Sequence, residues 1–200
     1  PYTLAVLYGI FYLQGKFSGM FGSLNDFVLE FAVNPSRFYL ISRVMSATAG
    51  TATVAAVYYT ARDLINRRTA LVSSVFMALA YLHARDSHFG VTDVTATFFV
   101  MMAFLWIVKV MRTGQTGDYV LSGVMAGLAA STKYIGFLMV IPVIAAHLLA
   151  SRQRRANIGK SVLDGRLWLF LLALLAAFII GTPYALLSLP KFLQDFLYEI

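Results

Sequence analysis

Along this chain apolar residues come in long runs, and the charged residues stand between the runs. The first run, Leu4 to Leu13, is ten residues long and stops at the glycine-rich stretch Gly15 to Gly22. A run of about that length lies at a membrane surface or re-enters on the side it came from. Asp26 to Arg37 reads as a polar-flanked loop, with Asn34-Pro35-Ser36 as a turn and helix start. Phe38 to Ala61 is the first segment that predicts a membrane span, and its Ser46, Ala49, Gly50 and Thr53 let neighbouring helices approach closely. Thr69 to Ala84 predicts a second span between Arg68 and Arg85, whose long side chains can reach the interface. Polar residues interrupt from Arg85 to Asp93. Val94 to Val110 predicts a third span, ending at Lys109 and Arg112 before the short loop Thr113 to Asp118.

Tyr119 to Leu149 is 31 residues with a single charge, Lys133. One straight helix of that length would reach about 46 Å, well beyond a bilayer core of roughly 30 Å. The pattern therefore predicts two short spans meeting at Ser131-Thr132-Lys133-Tyr134, with Gly136 and Pro142 helping the second leg to bend. Gly123 and Gly127 form a GxxxG pair, which marks either a close-packing face or a chance spacing in a glycine-rich helix. Ser151 to Gly165 is basic and polar, Arg166 to Leu187 predicts the last span, and Ser188 to Ile200 reads as an amphipathic external segment. The expected fold is all-α: a polytopic transmembrane helical bundle of about six spans. It forms a single domain over 1–200, with juxtamembrane residues 1–36, transmembrane helices over 37–187 and an external segment over 188–200.

Composition supports a membrane protein. Of the 200 residues 60% are hydrophobic and only 12% are charged, against about a quarter charged in a soluble domain. Cysteine is absent, which excludes disulfides, thiolate nucleophiles and cysteine metal sites. Neither end carries a leader or polar tail, so the chain reads as part of a longer protein. The net charge of +7 would point to nucleic acid in a soluble domain. Here its placement decides otherwise. If the Arg62–Arg68 loop is cytoplasmic, Lys109–Asp118 and Ser151–Arg166 fall on the same side. Those three loops hold ten basic residues and the acids Asp63, Asp118 and Asp164, while the remaining six bases and six acids cancel. The excess is a positive-inside signal, and no nucleic acid is expected.

The non-cytoplasmic side then receives the Arg85–Asp93 segment, the Lys133 turn and the C-terminal segment, with Arg43 about a turn and a half into its span. Ionisable groups at membrane depth are functional candidates by default. Asp93 sits where the third span begins, either as a helix cap or as a carboxylate that binds a cation or orients a hydroxyl. Arg85 and His88, three apart, would share a helical face, as interfacial anchors or as site residues. Lys133, at a broken helix end beside Ser131 and Thr132, either snorkels outward or holds a phosphate. His147 reads as interfacial, and Tyr58, Tyr59, Tyr81 and Tyr119 as members of aromatic belts. No Walker loop, dinucleotide fingerprint, HExxH or GxSxG is present.

Several stretches resemble the GT-C polytopic glycosyltransferases that use polyprenyl-phosphate sugars, in particular the protein O-mannosyltransferase and lipid A aminoarabinose transferase group. They are Pro1-Tyr2-Thr3-Leu4, Ser42-Arg43-Val44-Met45-Ser46-Ala47 with Gly50-Thr51, and His83 through Asp93. Gly127 through Tyr134 and Gly181-Thr182-Pro183-Tyr184-Ala185 complete the set. The resemblance implies inverting transfer from a polyprenyl-phosphate-linked donor to a lipid, glycan or protein acceptor. The active site would face outward from a bacterial or archaeal cytoplasmic membrane. It implies Lys133 as a donor-phosphate ligand, with Arg85 and His88 as neighbours in the same pocket. Asp93 would be a second site carboxylate and a candidate ligand for a divalent metal ion. The main general base is expected upstream of Pro1, so residues 1–200 alone are expected to be inactive. The competing reading is a secondary transporter in which Asp93, His88 and Lys133 form a relay. Internal repeats, which such a transporter would carry, are not evident in the sequence.

Overall fold

Helix follows helix along the chain in a computed structural model that describes residues 2–153 and 164–199. The elements are α1 (Tyr2–Phe17), α2 (Leu24–Val33), α3 (Ser36–Leu64), α4 (Arg67–Leu79), α5 (Tyr81–Ser87), α6 (Thr92–Thr113) and α7 (Thr116–Thr132). A 3-10 turn (Tyr134–Met139) leads into α8 (Val140–Gln153). After the basic segment come α9 (Gly165–Gly181), α10 (Tyr184–Leu187) and α11 (Leu189–Glu199). The all-helical bundle is the one the hydrophobic pattern predicts. Of the expected Ser151–Gly165 loop, residues 154–163 lie outside the described part.

Among the described residues three stretches are long and apolar enough to cross a membrane: Ser36–Leu64, Thr92–Thr113 and the joined turn and helix Tyr134–Arg152. The other membrane elements are shorter. α7 and α9 have 17 residues each and α4 has 13, the last reaching only about 20 Å. The expected second span, Thr69–Ala84, is broken at Ala80, whose backbone is extended, with φ −62° and ψ 114°. The last span stops at Gly181, because Thr182-Pro183 cannot continue a helix.

The segment Asp26–Arg37, expected as a loop, is corrected to α2. Its start is a capping box: the Asp26 backbone N–H donates to Ser23 Oγ (3.3 Å) and the Ser23 N–H donates back to Asp26 Oδ2 (2.8 Å). Those reciprocal bonds satisfy donors that the first turn leaves orphaned. Phe11, Phe21, Phe27 and Phe38 pack edge to face around this N-terminal hairpin and hold α1 and α2 against the start of α3.

The core lies among α6, α7, α8 and α9, with Ala103, Ile107, Val110, Ala126, Val143, Phe170 and Leu174 buried together. α7 and α9 approach backbone to backbone. A Cβ on Gly123 would collide with the Phe170 carbonyl, and one on Gly127 with the Leu174 carbonyl. The GxxxG pair is therefore a packing face, the arrangement that lets helices associate without a large apolar driving force.

Two polar residues depart from expectation. Tyr119 and His147 are each 1% exposed, so neither is interfacial, and the Tyr119 hydroxyl lies 2.5 Å from His147 Nδ1. On α8, Val143, Ala146, His147 and Ala150 fall on one buried face. Helical periodicity thus turns the imidazole inward, where the phenol satisfies it.

Candidate functional site

The site begins where α7 stops. Lys133 caps its C-terminus with an extended backbone, φ −155° and ψ 130°, and its N–H still donates to the Ala129 carbonyl. The chain then tightens into the 3-10 turn, where Gly136 N–H donates to the Lys133 carbonyl at 3.1 Å. Gly136 lies against the backbone of Ala126 and Ala130, with no room for a Cβ. This tight reversal, unavailable to a residue with a side chain, presents Lys133 at the end of the bundle.

Asp93 reaches the same place from α6. The helix is capped by Val91 without any side-chain bond, so neither Thr92 nor Asp93 is its cap. Asp93 stands in the first turn with its carboxylate directed at a neighbour. Lys133 Nζ donates to Asp93 Oδ1, across 40 positions of sequence. Both side chains are more than half exposed, 58% for Lys133 and 56% for Asp93. An ion pair so open to its surroundings contributes at most about 1 kcal/mol to stability.

The segment before Asp93 is docked onto α3. Gly50 leaves no room for a Cβ beside Ser87 Oγ, and Gly90 none beside Ser42 Oγ. His83 Nε2 lies 3.1 Å from the Gly50 carbonyl, and Ser87 Oγ donates to the His83 carbonyl at 2.6 Å. Because a carbonyl only accepts, His83 donates from Nε2. His88 Nδ1 likewise donates to the Ala84 carbonyl at 2.7 Å, which leaves Nε2 as the acceptor nitrogen of the neutral ring.

Arg85 and His88 have different surroundings. Arg85 pairs with Asp86 (Nε–Oδ1 2.8 Å) and lies 5.8 Å from the Tyr81 ring. His88 instead lines a cleft of about 390 Å³ with Arg43, Val44, Ala47, Ser87 and Phe89. The Arg43 guanidinium sits 6.0 Å from the centre of the Phe89 ring and has no acidic partner among the described residues. Arg43 was legible from its depth in the first span. Its pairing with Phe89 was not, because an aromatic residue in an apolar sequence carries no distinguishing signal.

The other end of the bundle gathers the loops whose charges make up the positive excess. Arg112 Nη1 donates to the Asp63 carbonyl at 3.0 Å, and Arg166 Nη1 donates to the Gly114 carbonyl at 2.8 Å. Lys133, Asp93, Arg43 and His88 thus stand at one end, and Arg62, Arg112 and Arg166 at the other.

Residues 39–184 match the model of the dolichyl-phosphate-mannose-protein mannosyltransferase family. The chain belongs to that family. The comparisons with curated proteins and with solved structures each return no match. The match runs from α3 into the start of α10 and so includes Arg43, Arg85, His88, Asp93 and Lys133. Family membership makes the chain a membrane glycosyltransferase and sets the transporter reading aside. A divalent metal, implied for Asp93 by the resemblance, finds a poor donor set here. The nearest charged group to Asp93 is an ammonium, and no cluster of three His, Asp or Glu occurs among the described residues. These side chains do not by themselves form a site for such an ion, and no step below passes through one.

Proposed function

We propose that the chain transfers a sugar from a polyprenyl-phosphate-linked donor to an acceptor on the non-cytoplasmic side, with inversion. Mannose is the sugar, and a protein hydroxyl the acceptor, that the family description suggests. The observation that carries the reading is the Lys133–Asp93 pair at the end of the bundle opposite the basic loops. As the acceptor oxygen attacks the anomeric carbon, the bond from that carbon to the phosphate oxygen breaks. Its electron pair leaves with the phosphate, and the acceptor proton goes to the base expected from a segment upstream of Pro1. Negative charge therefore grows on the departing phosphate, and a preorganised cation there lowers the barrier.

Lys133 is the residue for that role. Before the donor binds, Asp93 neutralises it and fixes its position. The pair is weak enough for a phosphate dianion or diester to displace the carboxylate, which is then free to orient the acceptor hydroxyl. Arg43 offers a second cationic contact to the phosphate from the neighbouring cleft, which His88 also lines. Arg85, neutralised by Asp86, is secondary.

The test is Lys133→Ala in the full-length protein, assayed with a panel of polyprenyl-phosphate sugars. Transfer should fall by on the order of 100-fold or more, while membrane insertion and yield are retained. Unchanged turnover would remove Lys133 from the mechanism.

A further inference from the structure

At the end of the bundle opposite Lys133, the cationic groups around the α3–α4 turn outnumber the carboxylate that stands among them. Arg62, Arg67, Arg68, Lys109 and Arg112 converge where α3 turns into α4 and where α6 ends. Asp63 is the carboxylate among them. Arg62 Nη2 lies 3.0 Å from Asp63 Oδ1 and Arg112 Nη1 lies 3.9 Å from the same oxygen, so that carboxylate is already shared. Lys109 Nζ is 3.8 Å from the centre of the Trp106 ring, and the Arg62 guanidinium is 5.0 Å from that of Tyr59.

Arg67 and Arg68 have neither arrangement. Both are exposed, and no acidic partner or aromatic face meets them among the described residues. They open α4, whose start is fixed by the Asn66 side chain accepting from the Thr69 N–H at 2.9 Å. Beside them Leu64 and Ile65 are 50% and 62% exposed. The turn thus presents two unpaired guanidinium groups next to two bare aliphatic side chains at the end of a membrane-spanning helix. The chemistry that satisfies both halves at once is an anionic lipid: acyl chains for Leu64 and Ile65, and a headgroup phosphate for the planar, multiply donating guanidiniums.

We infer that the α3–α4 turn is a binding site for anionic phospholipid, with Arg67 and Arg68 as its phosphate ligands. The site is separated from the donor site by the length of the bundle and does not depend on the role given to Lys133. A positive-inside bias alone orients a chain through the number of its basic residues. The turn adds fixed geometry, with Arg62 and Arg112 engaged and the adjacent pair free.

Native mass spectrometry of the purified full-length protein, titrated with phosphatidylglycerol and with phosphatidylcholine, reads this directly. Phosphatidylglycerol should be retained preferentially. The double variant R67Q/R68Q should bind it about 30-fold more weakly, with its melting temperature in detergent unchanged. R67K/R68K should bind more tightly than R67Q/R68Q and more weakly than the wild type, because the charges remain while the planar paired donors are lost. Inorganic phosphate at roughly 10 mM, a low ionic strength at which surface charges are little screened, should leave the bound phospholipid in place. Equal retention of phosphatidylglycerol by the wild type and R67Q/R68Q would overturn the site. Equal retention of both lipids by the wild type, or displacement by inorganic phosphate, would overturn the phospholipid as its ligand.

Discussion

An exposed lysine and an exposed aspartate that meet across 40 positions do little for the stability of the bundle. An open pair of that kind contributes roughly 0.2–1 kcal/mol, so its value lies in what it can exchange for. Asp93→Asn should therefore leave the melting temperature nearly unchanged. With the acceptor hydroxyl no longer oriented, kcat should fall by on the order of 100-fold. A steady-state assay of the full-length variant that showed wild-type kcat would confine Asp93 to holding Lys133. Lys133 itself was legible, since a lone charge within 31 apolar residues has few structural excuses. Asp93 was legible as a candidate too, but its pairing with Lys133 was not, because no sequence spacing specifies which helix ends meet. His147 and Tyr119 show the opposite error. Their nearness to the ends of apolar runs suggested an interface, whereas the face they occupy buries them.

Helices in this chain end for reasons of unequal visibility. The stop at Gly181 is written in Thr182-Pro183, and the start of α2 in Ser23 and Asp26, a capping-box spacing overlooked among polar neighbours. The break between α4 and α5 is different. Leu79-Ala80-Tyr81 contains no proline or glycine, and the break accompanies the docking of His83 and Ser87 against Gly50, a tertiary effect that local sequence does not carry. The contact of α7 with α9 was legible as a spacing, and the structure shows how little slack it has. Gly127→Leu places a side chain against the Leu174 carbonyl and should destabilise the bundle by at least about 1–3 kcal/mol, seen as a lowered melting temperature in detergent. A variant as stable as the wild type would mean that α9 can move away from α7 without penalty.

At the scale of the molecule, the division of charge between the two ends was readable from loop composition, and the cross-contacts of Arg112 and Arg166 make it physical. The clamp at the basic end also has a pH signature. Bidentate hydrogen bonding from Arg166 holds the Asp164 carboxyl at a pKa of about 2, against the opposing effect of burial. A folded-state pKa below the unfolded value of about 3.9 stabilises the folded protein above that value. The contribution is lost as pH falls through about 2. The melting temperature of the wild type should therefore decline toward that of Asp164→Asn between about pH 4 and pH 2. A gap between the two proteins that stayed constant over this range would show that Asp164 does not act through its charge.

One consequence follows from where the two partners of the site are mounted. Asp93 stands in the first turn of α6 and Lys133 at the C-cap of α7. Peptide dipoles leave a partial positive charge at the first position and a partial negative charge at the second, each favouring the side chain found there by roughly 0.3–1 kcal/mol. Each charge therefore has a second source of electrostatic support in its own helix. Removing one partner strands neither, and the chain tolerates the loss of its most informative residues as a folding problem while failing them as a catalyst. A genetic screen for inactive yet normally abundant protein would find these two positions.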